Sequence, residues 1–162
     1  MATATFVPIA NVTLATAVPS ITFGSISNQF ADLVIIFQGL GSTTLQGRIR
    51  LNGDTSGNYL YQRMSGNGTA ASAVGATAQT SGFISAIATA TTTSRLNMEI
   101  NIMGYSDTGK NAAILCAANS VSTGTEILYS RWITSTVNSV EILTSTGNWA
   151  IGTTAALYGI EA

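Results

Sequence analysis

Between residues 96 and 102 the side chains alternate with a period of two. Leu96, Met98, Ile100 and Ile102 fall on one side, and Asn97, Glu99 and Asn101 on the other. A helix would space its apolar residues three or four apart. A strand turns successive side chains to opposite faces, so this segment predicts a half-buried β-strand. Residues 45–52 repeat the pattern, with Leu45, Gly47, Ile49 and Leu51 opposed to Gln46, Arg48, Arg50 and Asn52. Further strands are expected near residues 3–14, 20–23, 32–38, 59–64, 83–88, 112–118, 126–132, 137–143 and 155–160. Dense turn sequences separate them, at residues 52–58, 106–111 and 144–148, each rich in Gly, Asn, Asp, Ser and Thr. Gly and Asn tolerate positive φ and so allow tight reversals. Many short strands with no amphipathic helix predict an all-β fold. The expected form is an antiparallel β-sandwich of jelly-roll or Greek-key type, with residues 1–162 as a single domain.

The surface of such a sandwich would be unusual. Only 8% of the 162 residues are charged, against about 25% in a typical soluble domain. Ser, Thr, Asn and Gly take the places charges usually hold. A neutral hydroxyl-and-amide surface costs less to desolvate than a charged one, so it suits contact with other chains. The formal net charge of -1 leaves copies of the chain with little mutual repulsion. The pI near 5.1 and the scattered cations argue against a nucleic-acid partner. No apolar run approaches the ~20 residues of a spanning helix, and no Lys or Arg precedes Arg48 to form the basic start of a secretory signal. A soluble chain with no membrane partner is therefore expected.

Two segments stand apart. Residues 1–20 hold no charge and suit an edge strand or arm that docks on a neighbouring subunit. Residues 64–94 hold no charge at all, and their centre, 66–81, is mostly Ala, Ser, Thr and Gly. That composition predicts a long loop excursion, or a contact arm that orders against a partner.

Catalytic chemistry finds little to use. Histidine is absent, which removes His-based triads, most zinc sites and the usual general base near neutrality. The seven acids, Asp32, Asp54, Glu99, Asp107, Glu126, Glu141 and Glu161, lie far apart in sequence. The segment Gly104-Tyr105-Ser106-Asp107-Thr108-Gly109-Lys110 has the spacing of a phosphate-binding loop. Asn111 stands where a Ser or Thr should hold magnesium, and a strand follows where a helix should, so a hairpin turn is expected. The segment Asn52-Gly53-Asp54-Thr55-Ser56-Gly57 resembles the start of a calcium loop, but Arg63 occupies the position of the bidentate Glu. The single cysteine, Cys116, lies in an apolar run and is expected to be a buried hydrophobe. No catalytic, cofactor or metal residues are assigned, and the chain is not expected to be an enzyme.

Arg48 and Arg50 share the polar face of one strand and Glu99 that of another, which suggests cross-strand or intersubunit pairing. Trp149 follows a Thr-Gly-Asn turn and suits either the core or an interface anchor at a sheet end. Arg48, Arg50, Trp149 and Tyr158 are the candidate interface residues.

Three stretches carry a family resemblance. They are Ile21-Thr22-Phe23-Gly24-Ser25-Ile26 leading to Phe30-Ala31-Asp32-Leu33-Val34, then the run from Arg48 to Tyr59, and the terminal Gly152-Thr153-Thr154-Ala155-Ala156-Leu157-Tyr158-Gly159-Ile160. This layout resembles small β-sandwich virion proteins of tailed bacteriophages, including those of cyanobacterial phages. The resemblance implies a non-enzymatic structural protein located in the virion and assembled in the host cytoplasm. It would be either a capsid decoration (cement) protein or a tail or fibre component. It further implies a homotrimer and contact with other virion proteins such as the major capsid protein. In the fibre reading, the loops at residues 53–58 and 66–81 would meet a receptor or glycan.

Overall fold

The computed structural model describes residues 5–86, 88–121, 124–134 and 136–161. Twelve strands are formed among the described residues, with no helix. They are β1 (Phe6–Thr13), β2 (Ser20–Phe23), β3 (Asp32–Gly39), β4 (Gly47–Leu51), β5 (Tyr59–Gly66), β6 (Ala71–Gln79), β7 (Gly82–Phe83), β8 (Leu96–Met103), β9 (Ala112–Ser120), β10 (Gly124–Trp132), β11 (Val140–Thr144) and β12 (Thr154–Ile160). Eight form one antiparallel sheet in the order β1-β12-β3-β8-β9-β10-β5-β6, and four form a second in the order β2-β11-β4-β7. The chain passes repeatedly between the two sheets, and the inner faces pack together. This is the expected antiparallel β-sandwich, though its eight-plus-four division is larger than the eight strands of a plain jelly roll.

Period-two alternation builds the core. Leu33, Ile35 and Phe37 of β3, Leu96, Ile100 and Ile102 of β8, and Ile114 and Cys116 of β9 all point inward and are buried. From the small sheet Ile21, Phe23, Ile49, Leu51, Val140 and Ile142 meet them. Burying each such side chain contributes roughly 1.5–3 kcal/mol. One glycine is needed for packing: a Cβ at Gly159 would run into the Phe30 ring. At the end of β4, Asn52 and Gly53 both adopt positive φ, 54° and 66°, and Asp54 N–H donates to the Leu51 carbonyl at 3.0 Å. That is the Asn-Gly reversal the sequence predicts.

Two segments differ from expectation. Residues 71–79, expected within a loop excursion, form strand β6, which pairs with β5 as a hairpin and ends the large sheet. The turn between them is held by Asn67, whose Oδ1 accepts from the N–H groups of Thr69 and Ala70 at 3.0 and 2.9 Å. Conversely, the strand expected at residues 83–88 shrinks to Gly82–Phe83. Ile87 lies outside the described residues. The N–H groups of Ala86 and Ala88 donate to the buried Glu126 carboxylate at 2.6 and 2.9 Å, so this backbone finds a side chain instead of a ladder. Of the expected first strand, Thr3 and Ala4 lie outside the described residues. The remainder forms β1, an edge strand paired with this chain's own β12.

Candidate docking surface

The strand registers define the outer face of the large sheet row by row. One row crosses Ala156, Ile36, Glu99, Ala117, Ile127, Met64 and Ala73. The next crosses Tyr158, Val34, Asn101, Leu115, Tyr129 and Gln62. Large apolar side chains stand open here: Ile36 is 48% exposed, Ile127 53% and Met64 67%, with Leu115 and Tyr129 also exposed. Between Met64, Gly66, Ala71, Thr125 and Ile127 lies a shallow apolar depression of about 390 Å³.

Along one side of this band runs a polar row. Gln38 Nε2 donates to Asn97 Oδ1 at 2.9 Å, and Asn97 Nδ2 donates to Asn119 Oδ1 at 3.2 Å. Thr125 and Thr154 continue it in register. Among the described residues of these strands, the outward-facing charges are Asp32, Glu99 and Arg131. Asp32 already accepts from Gly104 N–H at 2.9 Å, and Glu99 from Asn101 Nδ2 at 3.1 Å. With strands about 4.8 Å apart and about 3.4 Å per residue, an eight-stranded face covers on the order of 800 Å². That is about one partner's share of a standard protein interface.

The outer face of the small sheet is built differently. The Arg48 guanidinium lies 3.4 Å over the Phe83 ring, and Tyr61 stacks on the same ring with centroids 4.2 Å apart. Arg48 also donates to Ser85 O at 3.3 Å and to Gln46 Oε1 at 3.0 Å. Burial pulls its guanidinium down to about 10, which leaves it charged at neutral pH. Arg50 pairs with Glu141, its register neighbour on β11, at 3.6 Å. Glu99, on the other sheet, is not its partner.

Of the remaining interface candidates, Tyr158 lies on the outer face of the large sheet, half-buried, with its ring edge-on to Phe6 at 6.4 Å. Trp149 does not face outward. It is fully buried at 0% exposure, packs against Phe37 at 4.7 Å and donates from Nε1 to Ile142 O at 3.3 Å. An indole closed in on all sides offers a partner nothing, so its place is the core. Reading by sequence missed Ile36, Leu115, Ile127, Tyr129 and Met64. Their signal was present in the apolar residues on both faces of β3, β9 and β10, but only strand order joins them into one patch.

The chemical motifs resolve into turns. Residues 104–110 form the reversal between β8 and β9. Gly104 has φ 65°, and Asp107 Oδ1 accepts from Gly109 N–H at 2.8 Å. A strand follows, with no helix end to meet a phosphate. In the 52–58 loop Asp54 is occupied by its own chain. It accepts from Trp132 Nε1 at 2.7 Å, Asn58 Nδ2 at 2.8 Å and Ser56 N–H at 2.8 Å. These donors, the indole first, hold its carboxyl down to about 2. Cys116 is buried, its thiol pushed up by that burial and donating to Ile84 O at 3.1 Å. Among the described residues no three Asp, Glu or Cys side chains are grouped as a metal cage would need. Compared with known families and curated proteins, the chain matches no family model and no characterised protein.

Proposed function

We propose that this chain is a non-catalytic structural protein of a bacteriophage particle, a decoration or cement protein that docks on neighbouring virion proteins through the outer face of its large sheet. One observation carries the reading: Leu115, Ile127, Tyr129 and Met64 form an exposed apolar cluster over β9, β10 and β5, with Ile36 beyond Glu99 and Asn101 of β8 and an Asn-Gln-Thr row along one side, on a face about the size of a standard half-interface. Isolated exposed apolar residues are ordinary; a contiguous patch with a polar rim is the mark of an interaction surface. The phage context comes from the family resemblance of the three sequence stretches, and the low charge supports it. The alternative, a receptor-binding module, would use the loops at residues 53–58 and 66–81. In the 52–58 loop Asp54 accepts from Trp132 and Asn52 from Asn138 and Ser139, while Thr55, Ser56 and Gly57 are exposed, and residues 71–79 are strand.

The test is to add purified protein to particles stripped of it. Rebinding that restores heat and osmotic resistance, and that fails with Ile127→Asp, is the expected result. Particles that lose the protein and keep full resistance would exclude the cementing role.

A further inference from the structure

The two ends of the large sheet are unlike. At one end β1 carries Pro8, which has no N–H to give, and its register shifts between Pro8 and Ala10. Both features blunt an edge against strand addition. At the other end β6, Ala-Ser-Ala-Val-Gly-Ala-Thr-Ala-Gln, has nine residues with no proline and no charge. Its residues 71–76 pair with β5 without interruption, its register shifts only beyond Ala76, where Ala78 takes a φ of 54°, and nearly all of β6 is exposed. The edges of the small sheet, β2 and β7, have only four and two residues. Among the described strands, residues 71–76 therefore remain as an open edge with no proline, charge or bulge.

We infer that β6 pairs antiparallel with β6 of a second copy, joining two large sheets edge to edge about a two-fold axis near Val74. A two-fold contact sets each residue near its own counterpart, so any charge at its centre would repel itself. β6 is suited to this because it has none, and because no residue between Met64 and Ser94 is charged. A second copy also supplies the one strand certain to match in length and direction. Pairing with β1 of a neighbour would build an open or ring-shaped chain of subunits, and Pro8 and the bulge obstruct it. At the axis, Val74, 43% exposed and opposite Arg63 in register, meets Val74 of the other copy as a β-branched cross-strand pair. The outer-face band ending at Met64 and Ala73 would then continue across the axis into the second molecule. The result is a two-fold dimer in place of the trimer that the family resemblance implies, and it does not depend on which protein the outer face meets.

Opposed residues of an antiparallel pair have Cα atoms about 4.5–5.5 Å apart, within disulfide reach. The native Cys116 is buried, so an introduced cysteine is the reactive thiol. Under mild oxidation Val74→Cys should give a disulfide-linked dimer at least tenfold faster than Val121→Cys, a control on a side chain 94% exposed. The unmodified protein should show a dimer mass at millimolar concentration, and Val74→Lys should return it to a monomer with unchanged β-sheet circular dichroism. A monomer at millimolar concentration overturns the inference. So does an oligomer that Val74→Lys leaves intact, or equal cross-linking at residues 74 and 121.

Discussion

On the outer face of the small sheet, Arg48 rests on Phe83 and bonds to Ser85 and Gln46, and Arg50 pairs with Glu141. On the outer face of the large sheet, Ile36, Ile127 and Met64 stand about half or more exposed. Both faces belong to one sandwich and share one core. The small sheet uses its long polar side chains to cover its own apolar surface, so it presents a finished exterior. The large sheet buries Val34 but leaves Ile36, Leu115, Ile127, Tyr129 and Met64 exposed, and their burial stabilises the protein only when something else removes them from water. In the proposed reading, the difference separates the face that supports the fold from the face that would meet a partner.

The strongest way to break this distinction is to place charge on the large face. Met64→Asp together with Ile127→Asp should weaken particle binding by about 2–4 kcal/mol, the scale of an interface hot spot, or roughly 30- to 1000-fold. Thermal unfolding should barely move, because both side chains are exposed in the free protein. Co-sedimentation with stripped particles and a melting curve read the two effects separately.

The mirror experiment on the small face should give the mirror result. Arg48→Ala removes the cation over Phe83 and two hydrogen bonds, and should cost about 1–2 kcal/mol of stability. Denaturant unfolding should report that loss while particle binding stays unchanged.

Acid sharpens the comparison at the sandwich end, away from both faces. The Asp54 carboxyl is held down to about 2 by Trp132, Asn58 and Ser56. A depressed carboxyl contributes stability above its unfolded value and loses it as pH falls toward the folded one. Its contribution should be whole above about pH 4 and fade toward pH 2. Asp54→Asn should flatten that part of the stability profile, followed by Trp132 fluorescence. The smallest effect is expected at Arg50 and Glu141, a partly exposed pair. Glu141→Gln should cost about 0.2–1 kcal/mol, less in high salt, as measured by urea unfolding at two ionic strengths.

Strand β8 was legible because its alternation is complete: four inward apolar residues face the core, and polar residues separate them. Strand β6 was not legible, for a physical reason. An edge strand exposed on both faces needs no alternation, and its Ala, Ser, Gly and Thr composition is that of a loop. The opposite error, at residues 83–88, came from distance. Glu126 takes the backbone donors of Ala86 and Ala88 from about 40 positions along the chain, and no local pattern announces it. The partner of Arg50 was hidden in the same way, since Glu141 becomes its neighbour only once β4 and β11 pair. The exposed apolar residues of the proposed docking surface were scattered over four strands, β3, β5, β9 and β10, and only their order in the sheet relates them.

Imaging of intact particles at side-chain resolution tests the docking face most directly. Ile36, Ile127 and Met64 should lie against a neighbouring protein, with Arg48 and Arg50 still bound to their own chain. Particles in which that apolar band faces open solvent while the small sheet makes the contacts would contradict the account.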